Sequence, residues 1–368
     1  MRKIVIAIDS FKGCLSSVDA ARAVERGIAE AAPGCRCEIV PLADGGEGTV
    51  DATLAACGGR ECYCLLEGPL GESVTAKYGI LPDGETAIME MAAAAGLNLI
   101  AESDRNPWLT TTFGVGQMVS DAIRRGCHHI LMGLGGSATC DGGVGLLQAL
   151  GFRFLDADGR VINERGGQIL QKIMSVEWPQ LPDVDFTLLC DVEAPFCGPR
   201  GAAWVFAPQK GADAAMTRRL DEGLAHFARI VGHGLPYAPG SGAAGGLGGG
   251  MMAFLGAKAR PGAKVLLDYA RFESRIDDAD LVITGEGRLD SQTLMGKAPA
   301  RVLEACRKAG VPLWAIGGSV ESAEPLLSAG FDRVAAVTPA DMTLSEALLP
   351  EVARRNITNT IIRLLKDA

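Results

Sequence analysis

The sequence predicts an α/β protein: a doubly wound parallel sheet of about six strands, with a second α/β domain inserted into it. Three observations carry this. Short β-branched runs alternate with Gly-rich or acidic turns and then with segments of helical spacing, the pattern of parallel βαβ units. The length of 368 residues accommodates two or three compact units. From about 67 to 98 and again from about 152 to 267 the alternation loosens and long loops separate the strands, as expected of an insertion.

The first unit of the pattern is the clearest. Lys3–Ile8 reads as a strand buried on both faces. After a turn, Ser16 or Ser17 can cap a helix with Ala21, Val24, Ile28 and Ala31 on one face, ended by Pro33 and Gly34. Further strands are expected over 37–42, 129–133, 281–284, 313–316 and 333–337, which with the first would fill one sheet. Helices are expected over 113–125, capped by Thr111 or Thr112, and over 298–308, with Pro299 in the first turn. A capping box, Thr343 with Glu346, opens a last helix running towards Leu365. In the looser regions, 87–91 and 186–190 read as strands of the inserted domain. The division expected is 1–66, 105–150 and 270–368 for the doubly wound domain, with 67–104 and 151–269 for the inserted one. The glycine-rich stretch 239–250 reads either as a flexible linker or as backbone that must approach a neighbour closely.

Composition narrows the partners. Lys plus Arg number 35 against 44 Asp plus Glu, a net charge of -9, which argues against nucleic acid or an anionic membrane as a partner. No apolar run approaches the ~18 residues of a membrane span, and Asp9 closes the first apolar stretch too early for a signal peptide. Eleven cysteines without a C-x-x-C pair fit reduced, mostly buried thiols, so a cytoplasmic location is expected. The four histidines, His128, His129, His226 and His233, have no metal-ligand spacing.

In open parallel sheets, ligands bind beyond the carboxyl ends of the strands. Four predicted strands end in acids there: Asp9, Asp44, Asp191 and, after Gly285, Glu286. Two others end in glycine pairs, Gly135 with Gly136 and Gly317 with Gly318. Carboxylates suit a magnesium ion and bare amide turns suit nucleotide phosphates, although an Asp after a strand can also simply cap the next helix. The loop 133–143, GLGGSATCDGG, offers successive amides with the hydroxyls of Ser137 and Thr139 to a polyphosphate, and Asp141 lies in the same turn. Asp9, Ser10 and Lys12 set a carboxylate, a hydroxyl and an ammonium within four residues, a cluster suited to a small anionic substrate. No P-loop is present, since the Gly296–Lys297 pair is followed by Ala298 and lacks the upstream glycine. Gly133, Gly135 and Ala138 spell a G-x-G-x-x-A after a strand, with Asp156 further on, which keeps an NAD-dependent hydroxy-acid dehydrogenase open; a non-catalytic sugar-acid sensor is the third reading.

At these residues the chain resembles the bacterial type I glycerate kinases. The resemblance lies in IAIDSFKGCLSS near the start, PLADGGEGT (41–49), GPLG (68–71), MEMAAAAGL (89–97) and NPWLTTTFGVG (106–116). It continues through GLGGSATCDGGVGLLQALG (133–151), CDVEAPFCGPRGAAWVFAPQKGA (190–212) and ITGEGRLDSQTLMGK (283–297). It implies two α/β domains, one Rossmann-like and one inserted, with the site in the cleft between them. It also implies transfer of the γ-phosphoryl of ATP to D-glycerate, giving 2-phosphoglycerate, with 3-phosphoglycerate as the alternative product. On this resemblance Gly135, Gly136, Ser137 and Thr139 are expected to cradle phosphates, with Gly285 and Gly287 as further nucleotide contacts. Asp44 and Glu286 are expected to serve Mg2+, and Asp191, or second Asp9, to take the hydroxyl proton. Lys12, with Arg288 or Lys210, would hold the glycerate carboxylate, and Ser10 a substrate hydroxyl.

Overall fold

A computed structural model of the chain describes residues 1–232 and 238–367, so His233 lies outside the described residues. Along the chain the strands are β1 (Lys3–Ile8), β2 (Arg36–Ile39), β3 (Arg60–Glu67), β4 (Ser73–Ile80), β5 (Thr86–Glu90), β6 (His129–Gly133), β7 (Arg153–Leu155), β8 (Ser175–Glu177), β9 (Asp185–Leu189), β10 (Lys258–Arg260), β11 (Leu281–Leu289), β12 (Leu313–Val320) and β13 (Arg333–Ala336). They divide between two compact units. The first comprises Met1–Asp44, Asp51–Gly58 and Pro261–Ala368; the second comprises Gly45–Val50 and Gly59–Arg260.

The first unit holds a five-stranded, all-parallel sheet in the order β13-β12-β11-β1-β2. Every residue of β1 is buried, because the sheet is covered on both faces. Ile4, Ile6 and Ile8 pack into one apolar cluster and Val5 and Ala7 into another on the opposite face, which is the doubly wound arrangement. Helix Ser17–Ala31 begins where Ser16 accepts a hydrogen bond from the Asp19 amide. It packs against helix Pro350–Lys366 at Gly27, where a Cβ would stand 2.8 Å from that of Ile361. Thr358 Oγ1 donates to the Ala23 carbonyl across the same contact at 2.9 Å.

The second unit carries a six-stranded mixed sheet, β10-β9-β6-β5-β4-β3, and a small antiparallel pair, β7-β8. Strands β5, β6, β9 and β10 run parallel, while β3 and β4 are antiparallel additions at one edge. One apolar cluster serves this unit, and the rings of Phe152, Phe154, Phe227 and Phe254 meet within it.

Several expectations are corrected. Strand 129–133 was expected in the first sheet, but β6 pairs with β5 and β9, so the first sheet has five strands rather than six and 105–150 belongs with the second unit. The last helix breaks after Leu344–Ala347, whose Thr343–Glu346 capping box is present, because Pro350 starts a new helix. Of the two caps expected for helix Phe113–Arg124, Thr111 Oγ1 accepts from the Phe113 amide at 3.2 Å, while the Thr112 hydroxyl donates to Asp141. The stretch 239–250 is no linker. Residues 240–250 are buried, and Gly245 sits so close to the Thr139 carbonyl that a Cβ would lie 1.9 Å from it. Among the described residues no helix is long and apolar enough to cross a membrane.

Candidate active site

In the first unit the carboxyl edge of the sheet gathers acids. Ile8 pairs with Gly285, and the Asp9 amide donates to the Gly285 carbonyl at 2.9 Å, so Asp9 stands level with Glu286 on the next strand. Asp44 follows β2 after hydrogen bonds from Val40 and Leu42 carry the pairing with β1 onwards. Asp9 is buried, and its pKa is pushed up to about 7 by that burial and then by the charges of Asp44 and Glu286, against a hydrogen bond from the Ser10 amide and the charge of Lys12. Lys12 answers part of this charge with an ion pair to Asp44 at 2.8 Å. Glu286 accepts from Thr293 Oγ1 at 2.7 Å and lies 3.5 Å from the Lys297 ammonium. Burial still raises its pKa. Asp290 caps the short turn Ser291–Leu294 that delivers Thr293.

The strand expected over 281–284 runs on as β11 through Gly285 and Gly287, the expected nucleotide contacts, to Leu289. Gly285 is a glycine for close packing, since a Cβ there would meet the Ile316 carbonyl at 2.2 Å, whereas a Cβ at Gly287 would make only ordinary contact, 3.5 Å from the Lys12 amide. Arg288 is exposed and pairs with Glu321 at 2.9 Å and Asp290 at 3.4 Å.

In the second unit the turn after β6 is held from several sides. The Gly135 amide donates to the Gly45 carbonyl, Leu97 donates to Gly136, and Ala138 donates to Ala95. Thr110 Oγ1 donates to the Ala138 carbonyl at 2.8 Å. Asp141, fully buried, accepts from the Thr112 amide and hydroxyl, the Thr111 hydroxyl and the amides of Gly143 and Gly145. Burial raises its pKa in spite of these bonds. Asp141 is therefore the anchor of the loop. Gly136 has φ +74, the conformation that aims successive amides to one side, and the amides of Gly136 and Ser137 meet no acceptor among the described residues.

Lys210 was expected, as the alternative to Arg288, to reach a substrate carboxylate; in the structure it has other partners. Its side chain is buried, and its ammonium donates at 2.7 Å both to Ser137 Oγ and to the Thr139 carbonyl. Asp191 follows β9 and is exposed. The dehydrogenase reading fails on geometry. Gly133 and Gly135 are small to admit Gly45 and Gly46, and Asp156 accepts from the amides of Asp158 and Arg160 in a turn rather than ending a parallel strand. The sequence reading passed over three residues near Glu286, namely Asp290, Thr293 and Lys297, although they lie in the quoted segment 283–297. It also passed over Glu90, whose carboxylate accepts from the amides of Gly48 and Val50 and shapes that loop.

The glycerate kinase family profile matches residues 4–367. The chain belongs to the glycerate kinase family. It is 42% identical over 379 residues to a glycerate 2-kinase of Escherichia coli K12, with all of both chains covered. A glycerate kinase of Halalkalibacterium halodurans is 45% identical over 97% of each chain. The solved structure named for glycerate kinase 2 of Salmonella typhimurium LT2 is 41% identical, with a TM-score of 0.88 over 100% of this chain and 98% of that one. Membership of this family makes the chain a kinase.

Proposed function

We propose that this chain transfers the γ-phosphoryl group of ATP to the 2-hydroxyl of D-glycerate, giving 2-phosphoglycerate and ADP. The observation that carries the reading is the end-to-end match to a relative named glycerate 2-kinase. Phosphoryl transfer asks a protein mainly for positioning and charge neutralisation. The amides of Gly136 and Ser137, with Gly135 and Thr139, cradle phosphates. Lys12 holds the glycerate carboxylate, with Arg288 as the second cation, and Ser10 binds a substrate hydroxyl. The glycerate 2-oxygen attacks the γ-phosphorus, the bond to the bridging oxygen of ADP breaks, and the hydroxyl proton passes to Asp191, with Asp9 as the second candidate.

A magnesium ion fits the donor set of the first unit. Asp44 and Glu286 supply hard oxygen ligands, and Asp9, its pKa raised first by burial and then by the charges of Asp44 and Glu286, stands beside them. Among the described residues no group of three acids, histidines or cysteines forms a ready cation site. When bound, magnesium would neutralise phosphate charge. The eleven free thiols support a reducing, cytoplasmic setting.

The test is phosphorus NMR of the product formed from D-glycerate, ATP and magnesium. A 2-phosphoglycerate signal is expected. A 3-phosphoglycerate signal overturns the regiochemistry, and no phosphorylated product overturns the substrate.

A further inference from the structure

Lysine ammonium groups are donors only, and this settles the direction of a hydrogen bond at the turn after β6. Lys210 Nζ lies 2.7 Å from Ser137 Oγ, so the Ser137 oxygen accepts and its proton must point elsewhere. Among the described residues that hydroxyl donates to nothing. The same ammonium binds the Thr139 carbonyl, clamping both sides of Ala138. A buried lysine is costly, and one spent on a serine hydroxyl and a carbonyl instead of a carboxylate is unusual in a protein core.

We propose that Lys210 is a positioning residue that turns the Ser137 hydroxyl into a hydrogen-bond donor for a phosphate oxygen lying on the Gly136–Ser137 amides. The inference rests on the kinase reading above and gives Lys210 a role different from substrate contact. With the ammonium in place, the turn presents two amide protons and one hydroxyl proton, all donors, as an anion requires. A neutral amine at the same position could accept from Ser137, and the hydroxyl proton would then turn away from the ligand.

Protonation of Lys210 therefore matters. Burial lowers its pKa to about 8, and the titratable groups facing it are Cys140 and Asp141, which pull the other way. The Cys140 thiol is itself pushed up to about 12 by burial, so it stays neutral over the range of interest. ATP affinity should fall as the pH rises through about 8.

The experiment is a double-mutant cycle in the full chain, read by calorimetric Kd for ATP and by the separate KM values for ATP and D-glycerate. Lys210→Met and Ser137→Ala should each weaken ATP by about tenfold, the worth of one hydrogen bond, and leave the D-glycerate KM unchanged. The double variant should be no weaker than Ser137→Ala alone. Additive losses, or a rise in the D-glycerate KM instead, overturn the proposal. Should Lys210→Met fail to fold, the pH dependence decides: the fall in ATP affinity of the unaltered protein near pH 8 must vanish in Ser137→Ala, and its persistence refutes the coupling. Failure of the kinase reading shows separately, as absence of glycerate phosphorylation by the unaltered protein.

Discussion

Asp9 combines burial with two acidic neighbours, and its carboxyl pKa stands near 7 where an unfolded chain would have 3.8. Between those values the folded protein holds a proton that the unfolded chain releases. Stability is therefore lost as the pH rises through this window, and above about 7 the full penalty applies. At 1.36 kcal/mol per pKa unit, the penalty is about 4 kcal/mol at pH 8 and about 2 kcal/mol at pH 5. Asp9→Asn removes it while keeping an oxygen for the Ser10 amide, which donates to Asp9 Oδ1 at 2.6 Å. The variant should therefore be the more stable protein, by a margin growing about 1 kcal/mol per pH unit between pH 5 and 7 and levelling off above. Urea unfolding of both proteins across that range, without nucleotide and in chelator, reads the difference. A margin that does not grow with pH, or a variant less stable at pH 8, would refute the electrostatic account of this edge. The expected loss of turnover in the same variant would mark Asp9 as a group kept for function at a cost in stability.

Asp141→Ala leaves three buried amides and two hydroxyls without their acceptor and should cost about 3 kcal/mol or more, seen as a fall in urea midpoint. Gly245→Ala forces a methyl group onto the Thr139 carbonyl and should destabilise far more than Gly256→Ala, which has a similar positive φ but open space and should cost only about 1–2 kcal/mol of backbone strain. Asp191→Asn should lower kcat strongly with little change in ATP affinity; unchanged turnover would move the proton acceptor to Asp9.

Much of the architecture is legible along the chain because its causes are local. KIVIAI closed by Asp9 declares β1, Ser16 starts the following helix, and Thr343 with Glu346 caps another. The candidate site is legible in the same measure, since carboxylates and glycine pairs after β-branched runs mark strand ends whatever the strands pair with. Pairing itself is not local. Nothing in HILMG says that its neighbours are β5 and β9 rather than β1. Nor does GEGRL announce that β11 runs on through two glycines, because that follows from β12 lying alongside as far as Val320.

The same division separates the site residues. The sequence by itself determined the kinase family, the acids at the strand ends and the glycine turn, since each depends on residue type and short spacing. Only the tertiary structure decided that Asp141 anchors the loop, that the 239–250 glycines are packed rather than flexible, and that Lys210 lies buried under Ser137. A charged or glycine residue takes its role from what surrounds it, and those surroundings come from segments tens of residues away whose contacts no local pattern records.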